Sequence, residues 1–170
     1  MIIYHEISKE SLSKIEGEGL KCTSRGKSGL SDDIIKTDRF LDSYIPVSLA
    51  QAGVSRDNNL YGYLGDKVSV INIENGRQTS LAQLASKENR ILLRLDVNPS
   101  HCYISDLDIY DAIKTHIGQG EADEAWAQRY WHAIIPLQHF ALGDIARPEV
   151  MITHDIPPRH THIVTTPKAA

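Results

Sequence analysis

Short runs of apolar residues alternate along the chain with stretches of helical spacing and with polar loops. The clearest run is residues 91–97 (Ile-Leu-Leu-Arg-Leu-Asp-Val), which the pair Asn98-Pro99 ends, and it predicts a strand. Residues 1–7 are apolar and rich in β-branched side chains, so they predict a buried first strand. The remaining predicted strands are residues 60–64, 68–73, 102–104, 149–152 and 160–164.

Helices are predicted where a capping residue precedes apolar residues at helical spacing. Ser8 offers the cap of a short helix that buries Leu12 and Ile15 and ends at Gly17 and Gly19. Further helices are predicted over Pro46–Ala52, after a cap at Thr79, over Asp106–Thr115 and over Glu121–Tyr130. Residues 20–45 are rich in Gly, Ser, Asp and Lys, which predicts a long loop.

The order of these elements favours an α+β fold. Helices separate the early strands and the late strands cluster, which fits a split or strongly bent sheet with peripheral helices. The length of 170 residues suits a single domain over residues 1–170 with a core of its own. The chain contains neither GxGxxG nor GxxxxGK[ST], the two common nucleotide-binding motifs.

Charge and cysteine content narrow the range of functions. The formal net charge of −4 argues against a protein made mainly to bind nucleic acid, although Lys21, Arg25 and Lys27 form a basic loop that could meet phosphates. Cys22 and Cys102 belong to no metal-type cluster, so we expect reduced thiols and no metal site. Without an apolar run of ~20 residues or a signal-like start, we expect a cytoplasmic protein with no membrane partner.

Two segments in the first half carry side chains suited to ligand binding. His5, on the first strand, can hold a hydroxyl or an amide by hydrogen bonds. Tyr61 and Tyr63 lie on one face of their strand, and Gly62 between them leaves backbone open, so a nicotinamide or adenine ring could stack there. Arg56, just upstream, could meet a pyrophosphate. A histidine without a role and ordinary tyrosine packing are the alternatives.

A third segment places a carboxylate at the start of an apolar strand. Glu149 begins the run Glu-Val-Met-Ile, which Asp155-Ile156-Pro157-Pro158 follows. Because a buried charge without a partner is costly, a Glu in this position is often placed for use. The alternative is a solvent-facing glutamate at the end of a strand.

As an ordered set, these segments resemble the ADP-ribosyltransferase-like fold. The Tyr-His opening, the helix after it and Gly19-Leu20 look like the first motif of that family, and the Tyr61/Tyr63 segment looks like its central aromatic strand. The Glu-Val-Met-Ile strand, followed by Asp-Ile-Pro-Pro, is similar to the closing segment of DNA-targeting ADP-ribosyltransferase toxins and of tRNA 2′-phosphotransferases. Roughly residues 65–145 have no matched motif.

The resemblance implies NAD as the substrate of an ADP-ribosyltransferase or NAD glycohydrolase. His5 would hold the ribose and carboxamide side, Tyr63 or Tyr61 would stack on nicotinamide, and Glu149 would be the catalytic glutamate. Mono-transferases of the family often carry a Glu or Gln two residues before the catalytic one, where this chain has Arg147. The acceptor stays open between a protein, a nucleic acid and water.

The sequence leaves three other functions open as alternatives. A metal-dependent hydrolase could use His154, His160 and His162, although no HExxH spacing is present. A non-catalytic module on the same fold could bind a nucleotide or a protein. A cysteine hydrolase using Cys22 or Cys102 has no local signature to support it.

Overall fold

The computed structural model describes residues 1–22, 30–66, 68–71, 77–118 and 123–165. The strands in these ranges are β1 (Ile2–Ser8), β2 (Leu60–Leu64), β3 (Ser69–Ile71), β4 (Gln78–Ser80), β5 (Arg90–Asp96), β6 (Cys102–Asp106), β7 (Ile135–Pro136), β8 (Pro148–Ile152) and β9 (Thr161–Ile163). The α-helices are α1 (Leu12–Glu18), α2 (Asp32–Ser43), α3 (Val47–Gln51), α4 (Leu81–Ala85), α5 (Leu107–His116) and α6 (Asp123–His132).

Most of these strands form one antiparallel sheet in the order β7-β6-β8-β2-β1-β5-β9. Strands β3 and β4 pair separately as a small antiparallel ribbon. An open antiparallel sheet combined with helices confirms the predicted α+β class. Among the described residues no helix is both long enough and apolar enough to cross a membrane.

Strand β2 divides its pairing between the two halves of the sheet. Residues 60–62 pair with β8, and residues 63–64 pair with β1. At the division, a Cβ on Gly62 would lie 2.5 Å from Ile3 Cγ2 and 2.7 Å from the main-chain oxygen of Tyr4. Only glycine therefore allows β1 to approach β2 so closely.

One face of the sheet carries the main hydrophobic core. Strand residues at alternate positions point into it, as the period of two requires. It includes Ile3 and Ile7 from β1, with Ile15 of α1 packed among them. Its other sheet members include Leu60, Leu64, Leu93, Leu95, Cys102, Ile104, Val150 and Ile152.

Two separate clusters cover the opposite face. The helix-covered cluster joins α2, α5 and α6 to β8 through Leu41, Val54, Leu107, Tyr110, Ile113, Ala127, Tyr130, Trp131 and Met151. The hairpin-covered cluster lies under β3 and α4 and contains Tyr4, Val70, Leu84 and Leu92. Tyr61 packs against the first cluster and Tyr63 against the second, so the boundary between the two runs along β2.

The prediction of a loop over residues 20–45 is wrong for its second half, which forms α2. Ser31 precedes the helix, and Asp32 and Asp33 in the first turn suit the positive end of the helix dipole. Leu41 is fully buried and accepts a hydrogen bond from the Trp131 indole at its main-chain oxygen, 2.8 Å away. Tertiary packing of this kind stabilises a helix whose composition favours a loop.

Smaller differences concern the ends of elements. Thr79, predicted as a helix cap, lies in β4, and Ser80 caps α4 in a reciprocal pair with Gln83. The strand predicted over 68–73 is described only as β3, because residues 72–76, with the predicted Asn75-Gly76 turn, lie outside the described residues. Strand β7, two residues long, has too short a pattern to be predicted.

Candidate functional site

Arg56 lies at the centre of a buried charged cluster beneath α2, α5 and α6. Only 2 % of the residue is exposed. Its Nε lies 3.0 Å from Asp38 Oδ1, and its Nη1 lies 2.6 Å from Glu149 Oε2. A buried guanidinium needs counter-charges and satisfied hydrogen bonds, and these two carboxylates supply them from different ends of the group. Arg56 is therefore engaged inside the protein rather than exposed to a pyrophosphate.

Tyrosine side chains surround this guanidinium. The rings of Tyr61 and Tyr110 each have their centroid 4.2 Å from Arg56 Cζ, a cation–π arrangement. The Tyr130 hydroxyl accepts a hydrogen bond from Arg56 Nη1 at 3.1 Å. The Tyr110 hydroxyl donates to Asp38 Oδ1 at 2.9 Å. These contacts fix the cluster from several elements at once.

The electrostatics of the cluster keep Arg56 protonated. Burial alone would lower the pKa of Arg56, but the surrounding Tyr130, Tyr61, Glu149 and Asp38 raise it well above its usual value. Burial also raises the pKa of Tyr130 to about 12, so this phenol stays neutral. Two carboxylates, those of Asp38 and Glu149, face this one guanidinium.

Glu149 is held through one oxygen of its carboxylate. Oε2 accepts from Arg56 Nη1 and, at 3.2 Å, from Ser105 Oγ on the neighbouring strand. Both of these side-chain hydrogen bonds in the described part of the chain reach Oε2, and neither reaches Oε1. The side chain is 10 % exposed, and its carboxylate is oriented through Oε2.

Tyr63 lies on the same face of the sheet as this carboxylate. Tyr61 pairs with Met151, and because side chains two residues apart on a strand point to the same face, Tyr63 and Glu149 both lie on the face of Tyr61 and Met151. The Tyr63 hydroxyl donates to Glu6 Oε2 at 2.6 Å, and Lys87 forms an ion pair with the other oxygen of Glu6 at 2.9 Å. Of the residues predicted from the sequence, Arg56, Tyr61, Tyr63 and Glu149 thus share one face.

His5 lies on the other face. Tyr4 pairs with Tyr63, so the pleat of β1 turns the next side chain toward the core that holds Ile3 and Ile7. His5 Nδ1 lies 2.5 Å from the main-chain oxygen of Tyr61. The roles that the resemblance implies for His5, Tyr63 and Glu149 require one common groove, and the structure places His5 on the opposite face from the other two. The three residues occupy neighbouring strands, but the histidine contacts β2 from the opposite side.

Asp38, Ser105, Tyr110 and Tyr130 complete the cluster and were not predicted as site residues from the sequence. Asp38 lies on the buried side of α2 beside Leu41, with 1 % of the residue exposed. A carboxylate at an apolar helix position is a usable signal, because a buried charge requires a partner. Because the sequence predicts a loop over residues 20–45, Asp38 is not recognised there as a carboxylate on the buried face of a helix.

Other residues singled out in the sequence have local partners. Arg147 lies 2.9 Å from Asp108 and 2.8 Å from Asp111 at its Nη1, so it is an ion-pair residue at the helix α5 surface. Lys21 pairs with Asp155 at 3.3 Å. Arg25 and Lys27 of the predicted basic loop lie outside the described residues.

The histidines near the carboxyl end are dispersed among different partners. His162 contacts Asp96, His160 accepts from Arg159, and the ring of His154 lies 5.5 Å from that of His101. In the described ranges no group of three or more His, Cys, Asp or Glu residues could hold a metal ion.

Two cavities in the described residues lie away from the Arg56 cluster. One of about 420 Å³ is bounded by the end of β5 and residues 154–160. The other, of about 250 Å³, is lined by β3, Met1 and residues 137–142. Neither of these two cavities is lined by Arg56 or Glu149. Comparison of the chain with protein-family models, with curated proteins and with solved structures gives no match.

Proposed function

We propose that this protein cleaves the nicotinamide–ribose bond of NAD, as an ADP-ribosyltransferase or an NAD glycohydrolase, with Glu149 as its catalytic carboxylate. The observation that carries the proposal is the state of Glu149. Its Oε2 is fixed by Arg56 and Ser105, neither of these hydrogen bonds reaches its Oε1, and the aromatic strand β2 lies beside it.

Cleavage of the nicotinamide–ribose bond requires a carboxylate that is held in a fixed orientation. When the ribose C1′–N bond breaks, its electron pair leaves with nicotinamide as a neutral molecule and the ribose becomes oxocarbenium-like. A carboxylate that binds a ribose hydroxyl stabilises the growing positive charge. Because nicotinamide departs as a neutral molecule, the leaving group requires no general acid. The acceptor oxygen or nitrogen then bonds to C1′, and its proton passes to solvent.

Arg56 acts in this proposal as a positioning residue. It holds Glu149 Oε2 at 2.6 Å and is itself anchored by Asp38 at 3.0 Å. A carboxylate fixed before the substrate arrives needs no reorganisation during the reaction, which is the source of electrostatic catalysis.

The tyrosine strand supplies the surface for the nicotinamide ring. Tyr63 lies on the same face of the sheet as Glu149 and packs against the hairpin-covered cluster, and the proposal places the nicotinamide ring beside it. Tyr61 already stacks on Arg56, so Tyr63 is the better candidate for stacking on NAD. His5 contacts the main-chain oxygen of Tyr61 and positions β2 from the opposite face.

The strand order is consistent with an ADP-ribosyltransferase-like core. The three motifs of the sequence lie on β1, β2 and β8, which are adjacent in the sheet. We propose on this basis a toxin-like transferase of the cytoplasm whose acceptor is a protein side chain, a nucleic acid or water. Each of these acceptors attacks the same carbon, so the site itself does not select among them.

The test follows nicotinamide release from NAD by the parent chain and by Glu149→Gln, with Glu16→Gln on α1 as an exposed control of equal charge change. Arg56 keeps its Asp38 partner in the Glu149 variant, so the fold should be retained, and circular dichroism checks this. We expect the release rate to fall on the order of a thousandfold in Glu149→Gln and to stay unchanged in Glu16→Gln. Equal release by all three proteins would contradict the proposal.

A non-catalytic binding module is the second candidate. The observation that favours it is that the Arg56–Glu149 pair is internal and joins the α2, α5 and α6 layer to the sheet, as a structural ion pair does. Binding of NAD without nicotinamide release, by a parent chain whose fold is intact, would support this candidate over the enzyme.

A further inference from the structure

The cavity of about 420 Å³ at the end of β5 is a second place suited to a ligand. Its volume falls within the range of small-molecule pockets, roughly 300–1,000 Å³. Its wall consists of Asp96, Val97, Asn98, His154, Ile156, Pro157, Arg159 and His160. Val97 and Ile156 are buried and give it an apolar floor, while the other side chains are polar except Pro157.

Arg159 brings a positive charge to this cavity without an ion-pair partner in the described residues. Its Nε donates to His160 Nε2 at 3.2 Å, and its terminal amino groups form no hydrogen bond to the described part of the chain. A guanidinium with its two terminal nitrogens available matches the two oxygens of a carboxylate or phosphate.

His154 adds a buried polar atom that lacks a partner. Its Nδ1 is buried and makes no hydrogen bond, and its ring packs against His101 at 5.5 Å. A buried nitrogen in this state costs free energy until a ligand or a water molecule satisfies it. His154 is also one of the residues that line the cavity, so its ring forms part of the wall there.

The acidic residue of the cavity is already neutralised. Asp96 Oδ2 lies 3.1 Å from His162 Nε2 and 3.8 Å from Arg94 Nη2. The charge that remains available is therefore the positive charge of Arg159. We propose that the cavity binds a small molecule through an oxyanion head group, a phosphate or a carboxylate, held by Arg159 with the imidazoles of His154 and His160 beside it.

The test is a titration of the whole chain with inorganic phosphate and, separately, with acetate, at constant ionic strength set by sodium chloride. The histidine Cε1 protons of His154 and His160 report the binding by NMR. We expect saturable shifts of these protons with at least one of the two anions, and the tighter anion identifies the head group. Arg159→Gln should weaken this binding about ten- to a hundredfold, because it removes a charged hydrogen-bond donor.

Arg129→Gln on α6 is the matched control, since it removes an exposed arginine that contacts Trp126 and not the cavity. It should leave the affinity unchanged. A second variant, His154→Phe, keeps an aromatic ring but removes both nitrogens, and it should also weaken binding. The proposal is overturned if neither anion gives saturable shifts, or if Arg159→Gln binds as tightly as the parent. These results do not depend on NAD turnover.

Discussion

Arg56 Nη1 and Glu149 Oε2 lie 2.6 Å apart although 93 residues separate them in the chain. The contact ties the segment before β2 to the first residues of β8, two strands that pair in the sheet. It also links the sheet to α2, because Asp38 holds the other end of the same guanidinium. The stability of the helix layer and the orientation of Glu149 therefore depend on one arginine.

Replacement of Arg56 by Met should destabilise the protein strongly. The change removes the guanidinium that both Asp38 and Glu149 contact, and breaking a buried ion pair in this way costs about 3–5 kcal/mol. Urea unfolding measures the loss. Arg39→Met, an exposed arginine on α2, is the control and should change the unfolding free energy by less than about 0.5 kcal/mol. Equal effects of the two changes would contradict the role given to Arg56.

Asp38→Asn and Glu149→Gln should show strong coupling in a double-mutant cycle. Each single change neutralises one of the two carboxylates that contact Arg56, and the double change neutralises both. We expect the double variant to lose more stability than the sum of the single variants, by about 1–3 kcal/mol. Unfolding free energies of the four proteins give the coupling, and additive losses would show that the two carboxylates act independently.

Gly62→Ala should separate β1 from β2. The added methyl group would lie 2.5 Å from Ile3 Cγ2 and 2.7 Å from the Tyr4 main-chain oxygen, so the strands must move. We expect a loss of about 1–3 kcal/mol in unfolding free energy, typical of overpacking. Gly17→Ala, in α1 with nothing within 4 Å of its added Cβ, should be neutral or stabilising. A Gly62 variant as stable as the parent would contradict the close strand contact.

The two cysteines should make the protein less stable at high pH. Burial raises the pKa of Cys22 to about 11 and that of Cys102 to about 12, from an ordinary value of 9.0. Above pH 9 the unfolded chain releases these protons more readily than the folded chain, so the unfolding free energy falls as pH rises toward 11. Below pH 9 the thiols contribute no pH dependence.

Unfolding curves between pH 8 and about 11 measure this slope. A variant with both cysteines changed to alanine should show a smaller slope than the parent over the same interval, whatever its stability at pH 8. Identical slopes would show that the thiols do not carry the effect. The tyrosines buried around Arg56, which both proteins share, contribute to the slope that remains.

The sequence predicted the strands of the sheet better than the relations between them. Residues 91–97, 60–64 and 149–152 form strands β5, β2 and β8 with small differences at their ends. Their apolar runs need no knowledge of neighbours, because the pattern is local. The α2 helix was missed since its stability comes from contacts such as Trp131 with Leu41, which lie 90 residues apart.

The candidate site was predicted only in part for the same reason. Glu149 was selected because a carboxylate at the start of an apolar strand needs a partner, and the structure provides Arg56 as that partner. Which face His5 occupies depends on the register of β1 against β2, which pairs Tyr4 with Tyr63. A shift of one residue would place the histidine on the face of Glu149, and a single sequence does not determine that register.

Nicotinamide release at saturating NAD, measured together with NAD affinity, tests the central claim most directly. We expect the parent chain to release nicotinamide and Glu149→Gln to release it at a rate on the order of a thousandfold lower. The affinity of the variant for NAD should change little, because the carboxylate acts mainly in the transition state. A correctly folded Glu149→Gln protein that releases nicotinamide at the parent rate, or a parent chain that binds NAD and releases none, would contradict it.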